Sequence, residues 1–112
     1  MDPVLRQLNI KTNVLRRAVK ELASYVKEVE IEQSRLSQYE NDAVRTRQQM
    51  QVIHESREMV SQIVHQMEDK IASLEAQLKT VAEEGLSDEG LQAAANSEIE
   101  NARAALAEHT AE

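Results

Sequence analysis

The feature that most limits the fold of this chain is the lack of helix breakers between Val4 and Glu84: its only proline is Pro3, and its two glycines are Gly85 and Gly90. Proline and glycine are the residues that destabilise a helix interior most strongly. Two tyrosines make up the whole aromatic content of 2%, so the large rings that help to fill rounded cores are scarce. The composition therefore predicts an all-α protein of long helices packed side by side.

Apolar residues recur in alternating steps of three and four, which is the spacing of a coiled-coil seam. The first predicted helix spans about 3–40, and its seam is Leu5, Leu8, Thr12, Leu15, Val19, Leu22, Val26, Val29, Gln33 and Leu36. The second spans about 43–83, and its seam is Met50, Ile53, Arg57, Val60, Val64, Met67, Ile71, Leu74, Leu78 and Val81. A third, about 88–108, carries a thinner stripe of Leu91, Ala95, Ile99, Ala102 and Leu106.

Polar residues and one glycine mark the ends of these segments. Asp2 before Pro3 predicts an N-cap followed by proline at the first helical position, where its missing N–H costs nothing. The cluster 40–42 offers capping side chains for the second helix. Gly85 fits the left-handed position after a helix, and Ser87 is expected to cap the third helix.

The short connections predict antiparallel neighbours. The expected fold is an elongated antiparallel three-helix bundle, a coiled-coil-like rod, in which residues 1–112 form a single domain. The third helix is shorter than the others, so it is expected to reach only to about residue 64 of the second. Segments 21–40 and 43–62 would then be two helices deep. Three helices that satisfy one another favour a monomer, with a homodimer paired through the open segments as the alternative.

Arg57 is the only charged member of the second seam. In one explanation its stem packs along the seam while the guanidinium reaches Glu30 or another carboxylate of the first helix. In the other, Arg57 is tolerated because no third helix covers it, and it presents its guanidinium to a partner. The sequence leaves both explanations open.

The formal net charge of −7 is unevenly distributed. Residues 1–57 hold ten Lys or Arg against eight Asp or Glu, whereas residues 58–112 hold three against twelve. The acidic second half would repel phosphates and argues against a nucleic-acid partner. No apolar run approaches the length of a membrane span, so no membrane partner is predicted. A cytoplasmic protein is the expected default.

No motif for catalysis or metal binding is apparent. The chain has no cysteine, no Gly-rich phosphate loop and no Ser with a positioned His and carboxylate. His54 and His65 are eleven residues apart, about 16 Å along a helix, and so cannot share a metal. The sequence predicts no enzymatic activity, no metal and no cofactor.

What remains is a binding surface. Val52 and Met59 lie beside the second seam, and Ile31 lies nearly opposite the first seam. Methionine suits an irregular partner surface. Arg16, Arg17 and Lys20 form a basic cluster, either a solvated helix face or a patch that steers an acidic partner.

Two groups of residues resemble the tubulin-binding cofactor A family. The first is Asp2-Pro3, Arg6-Gln7, Ile10-Lys11-Thr12, Val14, Arg17, Val19-Lys20-Glu21, Tyr25 and Lys27-Glu28. The second is Glu55-Ser56-Arg57 with Met59. Together they extend over most of residues 2–81. Three features of this chain match the family less well. They are the short turn at 40–42, Ser61 just after Met59, and most of the third helix.

The resemblance implies an elongated three-helix bundle without nucleotide. It also implies a chaperone that binds β-tubulin monomer, holds it, and passes it on toward the α/β-tubulin heterodimer. Glu55, Arg57 and Met59 become candidate contacts, other tubulin-folding cofactors become candidate partners, and a link to microtubules and the cytoskeleton is expected. A generic coiled-coil adaptor or oligomerisation module is the alternative that the same heptads support.

Overall fold

The computed structural model describes residues 1–110 of the chain. It contains α1 (Pro3–Arg35), a 3-10 turn (Leu36–Tyr39), α2 (Ala43–Glu83) and α3 (Glu89–Thr110). The molecule measures 66 × 22 × 18 Å. The predicted elongated antiparallel three-helix bundle is therefore confirmed. Within the described residues, no helix is long and apolar enough to cross a membrane.

The helices begin at aspartates. Asp2 Oδ1 accepts the backbone N–H of Val4 at 2.8 Å, and Asp42 Oδ1 accepts that of Arg45 at 3.1 Å. Both caps are those predicted. The expected cap of α3 at Ser87 is wrong, because Asp88 Oδ1 accepts the Leu91 N–H at 3.1 Å. The Asp88 N–H in turn donates to Gln92 Oε1 at 3.0 Å, so two otherwise unbonded N–H groups at this helix end are satisfied reciprocally.

Gly85 ends α2 as predicted. Its φ of 67° lies in the left-handed region that glycine adopts without steric cost. The Leu86 N–H then reaches back to the Val81 carbonyl at 3.0 Å, which is the long hydrogen bond of a Schellman motif. Leu86 packs against the core and fixes the direction in which the chain turns into α3.

The first helix does not continue as an α-helix to residue 40. At its end the Leu36 N–H donates to the Gln33 carbonyl, a 3-10 bond that leaves the Glu32 carbonyl without a bond from Leu36. Gln49 Nε2 on α2 donates to that Glu32 carbonyl at 2.7 Å. Thr46 Oγ1 donates to the Tyr39 carbonyl at 2.7 Å. Two α2 side chains thus satisfy the backbone where α1 tightens into a 3-10 turn.

The core lies where all three helices meet. Leu8 and Leu15 of α1 and Met67, Leu74 and Val81 of α2 are its largest fully buried side chains. From α3 the buried members are Ala95, Ile99 and Ala102, all in the predicted stripe. Small alanines allow α3 to approach closely, at the expense of apolar area buried per turn.

Two predicted seam positions are wrong in the two-helix part. Ser56, not Arg57, is the half-buried residue of α2 between buried Ile53 and Val60. In α1, Glu32 is buried and Gln33 is exposed. In both segments the seam advances by three residues and then by four, where four and then three was predicted. Both orders give the same average period. Met50 is likewise exposed rather than part of the seam.

Polar contacts fix the register of the helices. At one end of the rod Gln77 Nε2 donates to the Val4 carbonyl at 3.0 Å, and Lys11 Nζ donates to Gln77 Oε1 at 3.1 Å. An ion pair of 2.9 Å joins Arg16 to Glu98, and one of 2.6 Å joins Arg103 to Glu75. These pairs place α3 along one flank of the α1–α2 pair.

Candidate functional site

Two adjoining cavities lie at the C-terminal end of α3, and both are lined by Val26, Glu30 and His109. The first has a volume of about 430 Å³ and is further lined by Val19, Leu22, Ala23, Lys27, Ala105 and Glu108. The second has a volume of about 570 Å³ and is further lined by Val29, Gln33, Arg57, Val60 and Ser61. His109 in the last turn of α3 lies level with Ser61, so α3 reaches about one turn beyond the predicted residue 64.

Arg57 lies on the wall of the larger cavity and is exposed. Glu30 lines the same cavity. Across the described part of the chain, however, no ion pair or hydrogen bond joins the Arg57 side chain to another residue. The contact between Arg57 and Glu30 considered from the sequence is therefore not formed. That Arg57 binds a partner remains a prediction.

Met59 and Val52 lie on the opposite flank of α2. Arg57 and Ser61 both face the cavity beside α3, and Met59 is two residues from each. Two residues turn a helix by about 200°, so Met59 lies on the side turned away from α3. Val52 is one heptad before Met59 and shares its flank. The side chains of Met59 and Val52 are 39% and 41% exposed.

Tyr25 of α1 lies on the same side of the bundle. Ala23 and Lys27 both line the cavity beside α3, and Tyr25 is two residues from each, so it too turns away from α3. Tyr25 is 36% exposed. The sequence gave no reason to connect Tyr25 with Met59 across the groove.

Glu32 completes this side. It is two residues from Glu30, which lines both cavities, and so also turns away from α3. Glu32 is only 6% exposed. Its Oε2 atom has no hydrogen-bond partner within residues 1–110. We call Tyr25, Val52 and Met59, together with Glu32, which is buried at the seam beside them, the uncovered face.

Other predicted contact residues lie elsewhere. Ile31 is 38% exposed on the side of α1 away from the first seam. Glu55 is exposed, and its Oε1 accepts a hydrogen bond from Gln51 Nε2 at 3.2 Å on the outer surface of α2. The predicted contacts Arg57, Glu55, Ile31 and the pair Val52 and Met59 thus occupy different sides of the rod. One flat partner surface cannot contact them all.

Only part of the basic cluster of Arg16, Arg17 and Lys20 is free of ion pairs with other side chains. Arg16 Nε donates to Glu98 Oε1 at 2.9 Å, and Arg16 Nη1 donates to Asn13 Oδ1 at 2.7 Å. Arg17 and Lys20 are exposed and make no ion pair with any described residue. The structure therefore gives Arg16 a role in attaching α3, and leaves Arg17 and Lys20 as the available cations.

Residues 1–110 contain no group of three or more His, Cys, Asp or Glu side chains that could hold a metal ion. His54 instead lies 3.0 Å from Glu58, one turn along the exposed surface of α2. The two cavities at the end of α3 are open clefts lined by valines and isolated charged residues. Their arrangement suits contact with another molecule.

Comparison with known proteins points to one family. A model of the family described as tubulin binding cofactor A matches residues 3–108. The tubulin-folding cofactor A of Arabidopsis thaliana is 37% identical over 82 residues, which are 70% of this chain and 73% of that protein. The tubulin-specific chaperone A of Mus musculus is 34% identical over 84 residues, which are 70% of this chain and 76% of that protein.

Solved structures agree. The crystal structure of tubulin-binding cofactor A from Leishmania major superposes with a TM-score of 0.83 at 29% identity, covering 94% of this chain and 98% of that one. Tubulin folding cofactor A from Arabidopsis thaliana gives a TM-score of 0.81 at 31% identity, covering 89% of this chain and 95% of that one. The similarity therefore extends over all three helices.

Proposed function

Because the chain belongs to the tubulin binding cofactor A family, we propose that it is a tubulin-folding chaperone. In this proposal it binds β-tubulin monomer, holds it, and releases it on the pathway to the α/β-tubulin heterodimer. The role is one of binding, without catalysis, nucleotide or other cofactor. The observation that carries the proposal is the family match over residues 3–108, which includes nearly the whole of the described bundle.

The geometry supports a holding function. A rod of 66 × 22 × 18 Å offers long lateral surfaces to a larger protein. Val52 and Met59 are large apolar residues that remain exposed on one flank of the rod, and Ile31 is exposed on another side. Exposed apolar residues gathered on one surface are typical of protein-binding sites. Methionine in particular adapts to surfaces that are not yet fully packed.

We place the chaperone in the cytoplasm, in association with the tubulin and microtubule system. It acts as a monomer and as a single domain, with other tubulin-folding cofactors as further partners and with no nucleic-acid partner. The excess of acidic residues in 58–112 supports the exclusion of nucleic acid, because phosphates would be repelled. The contact residues Arg57, Glu55, Met59, Val52, Ile31, Arg17, Lys20 and Arg16 remain predictions.

The test is direct binding of purified protein to radiolabelled β-tubulin on native gels, with α-tubulin and an unrelated folded protein in parallel lanes. The proposal expects a discrete complex with β-tubulin and its loss when α-tubulin and the remaining folding factors are added. Capture of many cytosolic proteins without tubulin would instead support a generic coiled-coil adaptor.

A further inference from the structure

We propose that the uncovered face receives the client, and that its occupant is an amphipathic helix of β-tubulin carrying one basic residue for Glu32. The inference rests on the proposed function, because it takes β-tubulin as the client. It goes further in naming the side of the bundle, the shape of the bound segment and the chemical group that it must bring.

The shape follows from the two flanks of the α1–α2 pair. Two antiparallel helices form a groove on each flank, and α3 fills one of them with Ala95, Ile99 and Ala102. Within residues 1–110 no helix fills the other groove, where Tyr25, Val52 and Met59 are each more than a third exposed. A helix is the element that already fits such a groove in this molecule, through ridges that enter grooves between side chains. An amphipathic client helix can repeat this packing on the second flank.

The length of the bound segment follows from the register. The hydrogen bond from Gln49 to the Glu32 carbonyl sets residues near 49 level with residues near 32. Val26 and Arg57 line one cavity and are level further along the rod. Residues 25–32 of α1 and 52–59 of α2 therefore face the same stretch of groove. At about 1.5 Å per residue this stretch is roughly 10 Å long, which two turns of a client helix would span.

Glu32 determines the chemistry of the occupant. The residue is only 6% exposed, and its Oε2 atom is buried without a hydrogen-bond partner among the described residues. A buried carboxylate oxygen without a donor is unfavourable unless it is paired. A lysine or arginine at one position of the client helix would supply the donors, and arginine can bond both carboxylate oxygens. The unoccupied bundle thus keeps a polar group in a position where an apolar residue would be more stable, and binding relieves that cost.

The contribution of the apolar side chains to binding is tested with a double variant, Val52→Thr combined with Met59→Gln. Each substitution nearly preserves size and replaces apolar atoms by polar ones. The matched control is Val44→Thr combined with Met50→Gln, the same substitutions at residues of α2 that are 65% and 58% exposed outside the uncovered face. We expect the first pair to weaken binding of radiolabelled β-tubulin at least tenfold on native gels. The control pair should bind within twofold of the parent.

The charge is tested with Glu32→Gln, which keeps the shape of the side chain and removes the carboxylate. We expect affinity for β-tubulin to fall about tenfold, because the client's basic residue loses its carboxylate partner, while the urea midpoint of the isolated protein stays or rises. Gln33→Glu serves as control, since it adds a carboxylate at the adjacent, exposed position. Its affinity should match that of the parent.

The outcomes separate the two proposals. If the parent protein fails to bind β-tubulin, the proposed function is wrong. If the parent binds, and both the Val52/Met59 pair and Glu32→Gln bind within twofold of it, the function stands and the uncovered face is overturned as its site. Sedimentation of the parent and of the Val52→Thr/Met59→Gln variant at several concentrations tests whether a second copy of this chain occupies the uncovered face. A dimer of the parent that this pair abolishes, with β-tubulin binding unchanged, would also overturn the inference.

Discussion

Gln49 of α2 donates its side-chain amide to the backbone carbonyl of Glu32 on α1 over 2.7 Å. The carbonyl is available because the Leu36 N–H bonds to Gln33 instead, where α1 tightens into its 3-10 turn. This hydrogen bond joins the two helices close to the turn that connects them, in the part of the bundle that α3 does not reach. It therefore holds both the register of α1 against α2 and the position of the Glu32 backbone.

Replacement of Gln49 by alanine should destabilise the bundle by about 0.5–1.5 kcal/mol, the usual net value of one hydrogen bond. The Glu32 carbonyl would lose its cross-helix donor, so amide exchange should accelerate in residues 32–39. Urea unfolding followed by helicity measures the first effect, and hydrogen exchange measures the second. Gln48→Ala is the control, because Gln48 is an exposed neighbour with the same side chain. Equal losses in both variants would contradict a specific role for Gln49.

Arg57 should prove dispensable for folding. It is exposed and outside the seam, while Ser56 holds the seam position between Ile53 and Val60. We expect Arg57→Leu to change the free energy of unfolding by no more than about 0.5 kcal/mol, as for surface substitutions elsewhere. The hypothesis that Arg57 contacts β-tubulin predicts that affinity falls by about 1–3 kcal/mol, the range for losing a charged hydrogen-bonding group. Arg47→Leu supplies the same change at another exposed arginine of α2. Equal affinity of both variants with the parent would remove Arg57 from the binding site.

The sequence predicts the fold well because the long helices repeat one simple pattern. The lack of breakers between Val4 and Glu84, the cap at Asp2 and the left-handed Gly85 determine three helices and their order. Local rules were less decisive where two adjacent residues compete for one role. Ser87 and Asp88 can both cap α3, and the carboxylate of Asp88 is the acceptor in the folded protein. The 3-10 turn at Leu36–Tyr39 depends on contacts from α2 that periodicity along α1 does not contain.

The candidate site was harder to predict than the fold. Val52 and Met59 stand out in the sequence as apolar residues beside the seam, but the side of the rod they share depends on where α3 lies. The sequence did not identify Glu32 as buried. Between Val29 and Leu36 the seam can pass through either Gln33 or Glu32, and both choices keep the same average period. The burial of a carboxylate in preference to the neighbouring Gln33 is visible only once α1 is packed against α2. Periodicity identifies stripes, and packing decides which stripe is covered.

Residues 1–112 are predicted to unfold as one domain, and Ala102 offers a way to test this. Ala102 of α3 is fully buried against the other two helices, so Ala102→Leu should overpack the core and destabilise it by about 1–3 kcal/mol. Helicity reports on the whole chain, while the fluorescence of Tyr25 and Tyr39 reports on the part that α3 does not cover. Both urea midpoints should fall together in a single domain. Ala104→Leu, at an exposed position of the same helix, is the control. A tyrosine transition unmoved by Ala102→Leu would indicate two independent units.

Arg17 and Lys20 should accelerate the encounter with an acidic client, because opposite charges steer association at low ionic strength. Arg16 is unsuitable for this test: Arg16→Glu would set a carboxylate against Glu98, its partner at 2.9 Å, and loosen α3. The clean variant is Arg17→Glu with Lys20→Glu, for which we expect a slower association rate in low salt and a flatter salt dependence. Arg6→Glu with Arg47→Glu changes net charge equally at two other exposed positions. If both double variants slow association to the same extent, net charge rather than this cluster steers the encounter.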